Sequence, residues 1–380
     1  MQYQSKLPNV KTTIFTIMSK LAKEHNAINL SQGFPDFDSD PKLIELVSKA
    51  MTTGYNQYAP MPGVFSLRTQ IANKFSRLYN VTYHPETEIT ITAGATQAIF
   101  TIIAAFINKG DEVIIFKPAY DCYEPAIELH KGVPVCVQLE APHYNVDWQK
   151  VKQLIGPKTK MIIINTPHNP CGIVWSKEDM LALENLVRDT NIIVLSDEVY
   201  EHIIFDGKQH QSLCLFPHLK ERSFVVASFG KTFHNTGWKI GYCTAPAELM
   251  QEFRKVHQFN VFCVNHPMQI AFAKYLKEPN HYLELNSYYQ QKRDFFLKAI
   301  ENSRFKFTPS GGTYFQLLDY SGINDENDVS FAKRLVKEHQ IASIPISSFT
   351  VDNFDQKMLR FCFAKKKETL EKAAAILCKI

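Results

Sequence analysis

The chain has 380 residues and is 45% hydrophobic, enough to exceed one ordinary core, so one large domain and at least one smaller domain are expected. Its 42 Lys/Arg against 38 Asp/Glu leave a formal charge of +4, spread along the sequence, which gives no charge-based case for nucleic acid. The eight cysteines form no CxxC pair and no apolar run suits a secretory or membrane-spanning segment, so reduced thiols, no membrane partner and a cytoplasmic location are expected.

Ile14, Ile17, Met18 and Leu21 recur at helical spacing and predict a short helix within an arm that ends near residue 30. Gly33 and Pro35 break that pattern into a loop. A helix follows over Pro41 to Thr52, then a loop at 55–63 and a second helix ending near Leu78. From residue 89 the rhythm changes to short branched runs. Strands are predicted at 89–92, 112–116, 133–139, 160–164, 192–196 and 223–228, with helices at 96–106 and 176–188. This alternation points to an α/β fold with a sheet covered on both faces. Long helical stretches follow Pro246, broken near Pro279, and the last hundred residues mix helices with strands at 313–318 and 358–363. The division expected is an arm at 1–40 belonging to the small domain, a large domain at 41–279 and a small domain at 280–380.

Four features that could carry chemistry fall at predicted strand ends. Ala93-Gly-Ala-Thr-Gln97 feeds a small-residue turn into a helix, whose free amides and Thr96 suit either an anion or an ordinary helix start. Asn165-Thr-Pro-His-Asn-Pro-Cys-Gly172 projects Asn169 from a fixed turn, as ligand or as turn cap. Val194-Leu-Ser-Asp-Glu-Val-Tyr200 ends a strand in Asp197, able to hold a cationic heterocycle or to cap a helix. Ser228-Phe-Gly-Lys231 places a lysine in a small turn, where enclosure would lower its amine pKa and permit Schiff-base chemistry.

Taken in order, these motifs resemble the fold type I pyridoxal-phosphate enzymes, specifically class I/II aminotransferases near the methionine and kynurenine/glutamine branch. The resemblance runs from the loop at Leu30 to Arg360. It implies a large domain with a mostly parallel central sheet flanked by helices, and a smaller α+β domain. It implies pyridoxal 5'-phosphate as cofactor, with Lys231 as the Schiff-base residue and Asp197 on the pyridine nitrogen. Asn169 and Tyr200 would meet the phenolic oxygen, and Tyr120 would cover the ring. Gly94, Ala95, Thr96 and Ser228 would cradle the phosphate. Lys239 stands where many relatives have arginine, so it would neutralise the phosphate without a planar fork.

The same resemblance puts the substrate carboxylate on Arg360, beside Asn169 and Gly33, with Phe15, Tyr123 and Phe349 as candidate pocket walls. Tyr58 would reach the phosphate of a neighbouring subunit, making the expected assembly a homodimer. The implied reaction passes the amino group of methionine or of related apolar or aromatic amino acids, with glutamine or kynurenine as further candidate donors, to a 2-oxo acid. A carbon–sulfur β-lyase on the same framework is the alternative, and a noncatalytic regulatory protein a further one. His202, His210 and Cys214 form no complete metal-ligand set, so no metal is expected. The Ser228-x-x-Lys231 pattern lacks the remaining parts of a serine acyl-enzyme signature.

Overall fold

The computed structural model describes residues 4–380, so the first three residues of the expected arm lie outside the described residues. The strands, in chain order, are β1 (Ile28–Asn29), β2 (Ile89–Thr92), β3 (Glu112–Lys117), β4 (Val133–Gln138), β5 (Thr159–Asn165) and β6 (Ile193–Asp197). They continue with β7 (Ser223–Ser228), β8 (Gly241–Thr244), β9 (Phe315–Asp319), β10 (Ile341–Ala342), β11 (Ile344–Pro345) and β12 (Met358–Cys362).

A seven-stranded sheet in the order β2-β8-β7-β6-β5-β3-β4 forms the centre. Its strands run parallel except β8, which is antiparallel to both β2 and β7. Side chains alternate between its faces. Ile114, Phe116, Ile162, Ile164, Val194 and Val225 join one core, whereas Val113, Ile115, Met161, Ile163, Leu195 and Val226 join another. Burial on both faces explains why these segments read as unbroken apolar runs. The architecture is the expected α/β, fold type I arrangement, with helices such as Ala95–Phe106, Lys177–Val187 and Ala247–Asn260 flanking the sheet.

Strand β8 was not among the predicted elements. It has four residues and starts on Gly241, so neither length nor composition marks it. Its glycine is nevertheless required. A Cβ there would lie 2.6 Å from the Ala227 carbonyl oxygen and 3.1 Å from the Ala95 amide nitrogen. The neighbouring strand and the turn after β2 can close only on a residue without a side chain.

Beyond residue 280, β11, β12 and β9 form an antiparallel three-stranded sheet, with Leu285–Ala299, Asp328–His339 and Lys367–Leu377 as its principal helices. The arm joins this region, because β1 pairs in parallel with β10. Predicted strands at 313–318 and 358–363 appear as β9, which starts two residues and ends one residue later, and β12, which starts as expected at Met358 and ends one residue earlier. Among the described residues, no helix is long and apolar enough to cross a membrane.

Candidate active site

Register on the central sheet sets the site. Asn165 pairs with Asp197, and Ser228 pairs with Gly241, so the carboxyl ends of β5, β6 and β7 meet the turn after β2 at one level. Clefts at such strand ends are the usual ligand positions in parallel sheets. Here the cleft holds a cavity of about 140 Å³. Gly94, Ala95, Thr96, Tyr120, Asn169 and Asp197 line it, together with Tyr200, Ser228, Lys231 and Lys239. Asn165, Val199 and Thr236 also line it and were not singled out in the sequence.

At the floor, Asp197 is buried and accepts a 2.7 Å hydrogen bond from Tyr123 Oη and a 3.3 Å bond from the Val199 amide. Burial pushes its pKa up to about 6, although the Tyr123 hydroxyl and the Val199 amide oppose that rise. Tyr123 is therefore directed at Asp197, a partner that its sequence reading as a substrate wall did not foresee. Asn165 links the two strand ends. Its Nδ2 donates to the Asp197 carbonyl at 2.8 Å, while its Oδ1 accepts from the Asn169 amide at 2.7 Å.

One wall is the turn entering helix Ala95–Phe106. Gly94 has φ +79°, and no side chain caps the helix, so its first amides face the cleft without a covalently neighbouring competitor. Thr96 Oγ1 lies 3.4 Å from Tyr120 Oη. Lys239, exposed and at φ +54°, reaches the same turn, since its Nζ lies 3.3 Å from where a Gly94 Cβ would stand. A side chain at residue 94 would crowd this cation.

Lys231 lies on the short helix Phe229–Thr232 immediately after β7. Its Nζ donates to the Gly33 carbonyl at 3.2 Å and to Tyr314 Oη at 3.1 Å. Desolvation lowers the amine pKa to about 8; Arg360 and Lys239 act in the same direction, Asp197 against it. Tyr200 is buried beside them, its ring edge-on to Tyr314 at 5.1 Å, and burial raises its phenol above the ordinary range.

Arg360, on β12, is 1% exposed. Its Nη1 donates to Asn169 Oδ1 at 2.8 Å and its Nη2 to the Ser31 carbonyl at 3.1 Å, while buried Nε has no protein partner. The guanidinium stacks 3.8 Å over Phe315, with the Phe15 and Phe349 ring centroids 5.2 and 6.0 Å away. Phe15 and Phe349 also contact each other at 5.5 Å between centroids. Burial disfavours the charged guanidinium, so an anion seated on its remaining donors would be strongly held.

Tyr58 stands apart from this constellation. It is 82% exposed, packs edge-on to Phe262 at 5.4 Å and does not line the cleft of its own chain. Among the described residues, no group of three or more His, Cys, Asp or Glu side chains is placed to hold a metal ion. His210 instead pairs with Glu198 at 2.7 Å, and His202 lies beside Glu201.

The family profile for aminotransferase class I and II matches residues 25–377. The chain belongs to the class I and II aminotransferases. It is 50% identical over 372 residues to the methionine aminotransferase of Escherichia coli, covering 98% of this chain and 96% of that protein. It is 34% identical to rat kynurenine–oxoglutarate transaminase 1, covering 96% of this chain and 95% of the relative. Its structure superposes with a TM-score of 0.98 on Escherichia coli YbdL, a protein identified by crystal structure and reactivity as having a methionine aminotransferase function, at 49% identity and full coverage of both chains.

As an aminotransferase of fold type I, the chain is a pyridoxal-phosphate-dependent enzyme, and the cleft can be tested against that cofactor. Asp197 is a buried carboxylate that forms no ion pair with any Lys, Arg or His among the described residues, so a cationic ring nitrogen would supply the missing charge. Opposite it, the Gly94 turn, Thr96, Ser228 and Lys239 offer amide, hydroxyl and ammonium donors suited to a phosphate. Both ends of the cofactor are matched.

Proposed function

We propose that this aminotransferase takes methionine as its preferred amino donor, with related apolar or aromatic amino acids as secondary donors, and passes the amino group to a 2-oxo acid. The observation carrying this reading is the buried Arg360 guanidinium, held by Asn169 and Ser31 and enclosed by Phe15, Phe315 and Phe349. A fixed cation among aromatic faces suits a substrate with a carboxylate at one end and a polarisable, uncharged side chain. Similarity to the methionine aminotransferase of Escherichia coli supports the same choice.

In this reading Asp197 would pair with the ring nitrogen, Asn169 and Tyr200 would hold the phenolic oxygen, and Tyr120 would cover the ring. Ala95, Thr96, Ser228 and Lys239 would bind the phosphate. Bound pyridoxal phosphate supplies an electron sink for the pair left when the substrate Cα loses its proton. Arg360 orients the substrate through its carboxylate and thereby presents the Cα–H bond to Lys231. Lys231 takes that proton and holds it for return. An amine with a pKa near 8 is neutral in a useful fraction near neutral pH and remains a competent acid when protonated.

The reading includes a homodimer in which Tyr58 reaches the phosphate of the partner's cofactor. Its exposed ring, together with Phe262 and the 85% exposed Phe259, supports such a surface. It also includes the division into an arm at 1–40 and a small domain at 280–380 around a large domain at 41–279, for which the β1–β10 pairing speaks. A cytoplasmic location is supported by eight free thiols.

The deciding experiment is a donor panel with a common 2-oxo-acid acceptor. Methionine is expected to give the highest kcat/KM and a stoichiometric new amino acid. Preference for aspartate, or release of ammonia from sulfur-bearing donors without any acceptor, would overturn the proposal.

A further inference from the structure

Tyr314 was not among the residues singled out in the sequence, yet it touches the reacting amine. It precedes β9 in the segment Gly311-Gly312-Thr313-Tyr314, and the backbone there is tightly fixed. A Cβ on Gly312 would lie 2.7 Å from Pro167 Cβ and 3.0 Å from the Ile203 carbonyl oxygen. Thr313 adopts φ +65°, its amide donates to that same carbonyl at 2.9 Å, and the Tyr314 carbonyl accepts from Phe363 at 3.0 Å. The ring is fully buried against Tyr200, Tyr289 and Phe315. Its hydroxyl therefore has little freedom.

Hydrogen-bond chemistry fixes the direction of each contact. A backbone carbonyl only accepts, so the 2.5 Å contact between Tyr314 Oη and the Gly33 carbonyl carries the single tyrosine proton. The face that Tyr314 presents to Lys231, 3.1 Å away, is then a lone pair. The Gly33 carbonyl is a second acceptor for the same amine at 3.2 Å. The two acceptors are only 2.5 Å apart, so they occupy one narrow sector around the amine, and a single N–H bond directed between them serves both.

We propose that Tyr314 is a positioning residue which, with the Gly33 carbonyl, anchors the neutral Lys231 amine through a shared N–H bond and so holds the nitrogen where its lone pair can turn to the cleft. The inference rests on the transamination reading, because the lone pair matters only if Lys231 accepts the substrate Cα proton. In that step the Cα–H bond breaks and its proton joins the nitrogen lone pair, while a bound cofactor would accept the bond's electron pair. The resulting ammonium keeps its anchoring N–H bond on Tyr314 and Gly33. The transferred proton faces the cleft for return. The loop that carries Gly33 also serves the carboxylate end, since Arg360 donates to the Ser31 carbonyl two residues before it.

The test is Tyr314→Phe, which keeps the ring packing and removes the acceptor. With the holoenzyme and methionine, kcat should fall about tenfold, the scale of one lost hydrogen bond to the reacting amine, while KM stays within about twofold. The primary isotope effect with α-deuterated methionine should rise. A second readout needs no turnover: the rate at which Lys231 of cofactor-free enzyme captures added pyridoxal phosphate, followed by absorbance against pH. Loss of an acceptor that favours the ammonium should move its midpoint to lower pH. Fluorinated tyrosine at residue 314, a weaker acceptor that preserves the fold, should fall between the two. An unchanged isotope effect and an unchanged capture profile in Tyr314→Phe would overturn the inference. If the wild type transaminates no donor, the functional reading fails, and the capture profile still decides whether Tyr314 governs the amine.

Discussion

The Tyr123 hydroxyl donates to Oδ2 of Asp197 at 2.7 Å, and with the Val199 amide it supplies the carboxylate's protein donors on the floor of the cleft. These bonds do not compensate burial fully, because the Asp197 pKa is still pushed up from 3.8 to about 6. A carboxyl pKa raised on folding stabilises the protein below its unfolded value and loses that contribution as pH rises through the folded one. The loss corresponds to about 3 kcal/mol for a shift of this size. Cofactor-free Asp197→Asn should therefore melt higher than cofactor-free wild type at pH 7.5, and at nearly the same temperature at pH 4. Adding pyridoxal phosphate should reverse the order at pH 7.5, since only the carboxylate gains a cationic partner. Thermal melts with and without cofactor check both signs.

Arg360→Lys tests whether the guanidinium acts by charge or by shape. Lysine would keep the charge but could not hold Asn169 Oδ1 and the Ser31 carbonyl while offering two further parallel donors to a carboxylate. Its stacking on Phe315, now 3.8 Å from the guanidinium carbon, would also go. Steady-state kinetics with methionine should show kcat/KM lower by roughly a hundredfold, mostly through KM. A loss under fivefold would indicate that charge alone suffices.

Much of the cleft was legible because its chemistry sits where periodic patterns stop. Asp197 and Lys231 lie at or just beyond the end of a strand rich in apolar residues, Asn169 lies in a turn of rigid residues, and Thr96 opens a helix straight after a small-residue turn. Tyr314 was not legible. Nothing local distinguishes it from other buried aromatics, and its meaning comes from Gly33 and Lys231, which are remote in sequence and joined only by the fold. Tyr123 shows the related limit: the sequence placed it near the cleft, but the direction of its hydroxyl toward Asp197 depends on how the helix Tyr123–Leu129 packs against β4 and the helix Ala95–Phe106. Strand β8 was hidden because a glycine needed for close approach also weakens the strand signal.

Tyr58 supplies the prediction for assembly. Since the ring is 82% exposed and lies outside its own cleft, Tyr58→Ala should leave the fold of each subunit intact. If the ring reaches a partner's phosphate, the variant should release pyridoxal phosphate roughly tenfold more readily, the scale of one lost hydrogen bond to a charged group. Equilibrium dialysis gives that ratio, and sedentation of both proteins across a range of concentrations gives the subunit count. Unchanged cofactor retention in a dimer would remove Tyr58 from the site.

A buried ion pair behind the cleft makes the last prediction, because it anchors the segment that carries both Asp197 and Tyr200. Lys74 pairs with Glu201 and also donates to Tyr242 Oη at 2.7 Å, while Tyr79 donates to Glu201 at 3.1 Å. Burial alone would raise the Glu201 pKa, but Lys74 and His202 beside it hold the carboxyl down at about 2. A depressed carboxyl pKa contributes stability above its unfolded value of 4.5 and loses it as pH falls through the folded one. Lys74→Met leaves that carboxylate buried without its cation and should destabilise the holoenzyme by about 3–5 kcal/mol at pH 7. The deficit should shrink as pH is lowered toward 4, because the orphaned Glu201 can then take up a proton. Pairing Lys74→Met with Glu201→Gln removes the buried charge altogether and should recover part of the loss at neutral pH. Denaturant midpoints of the three proteins across that range separate a charge effect, which follows pH, from a packing defect, which does not.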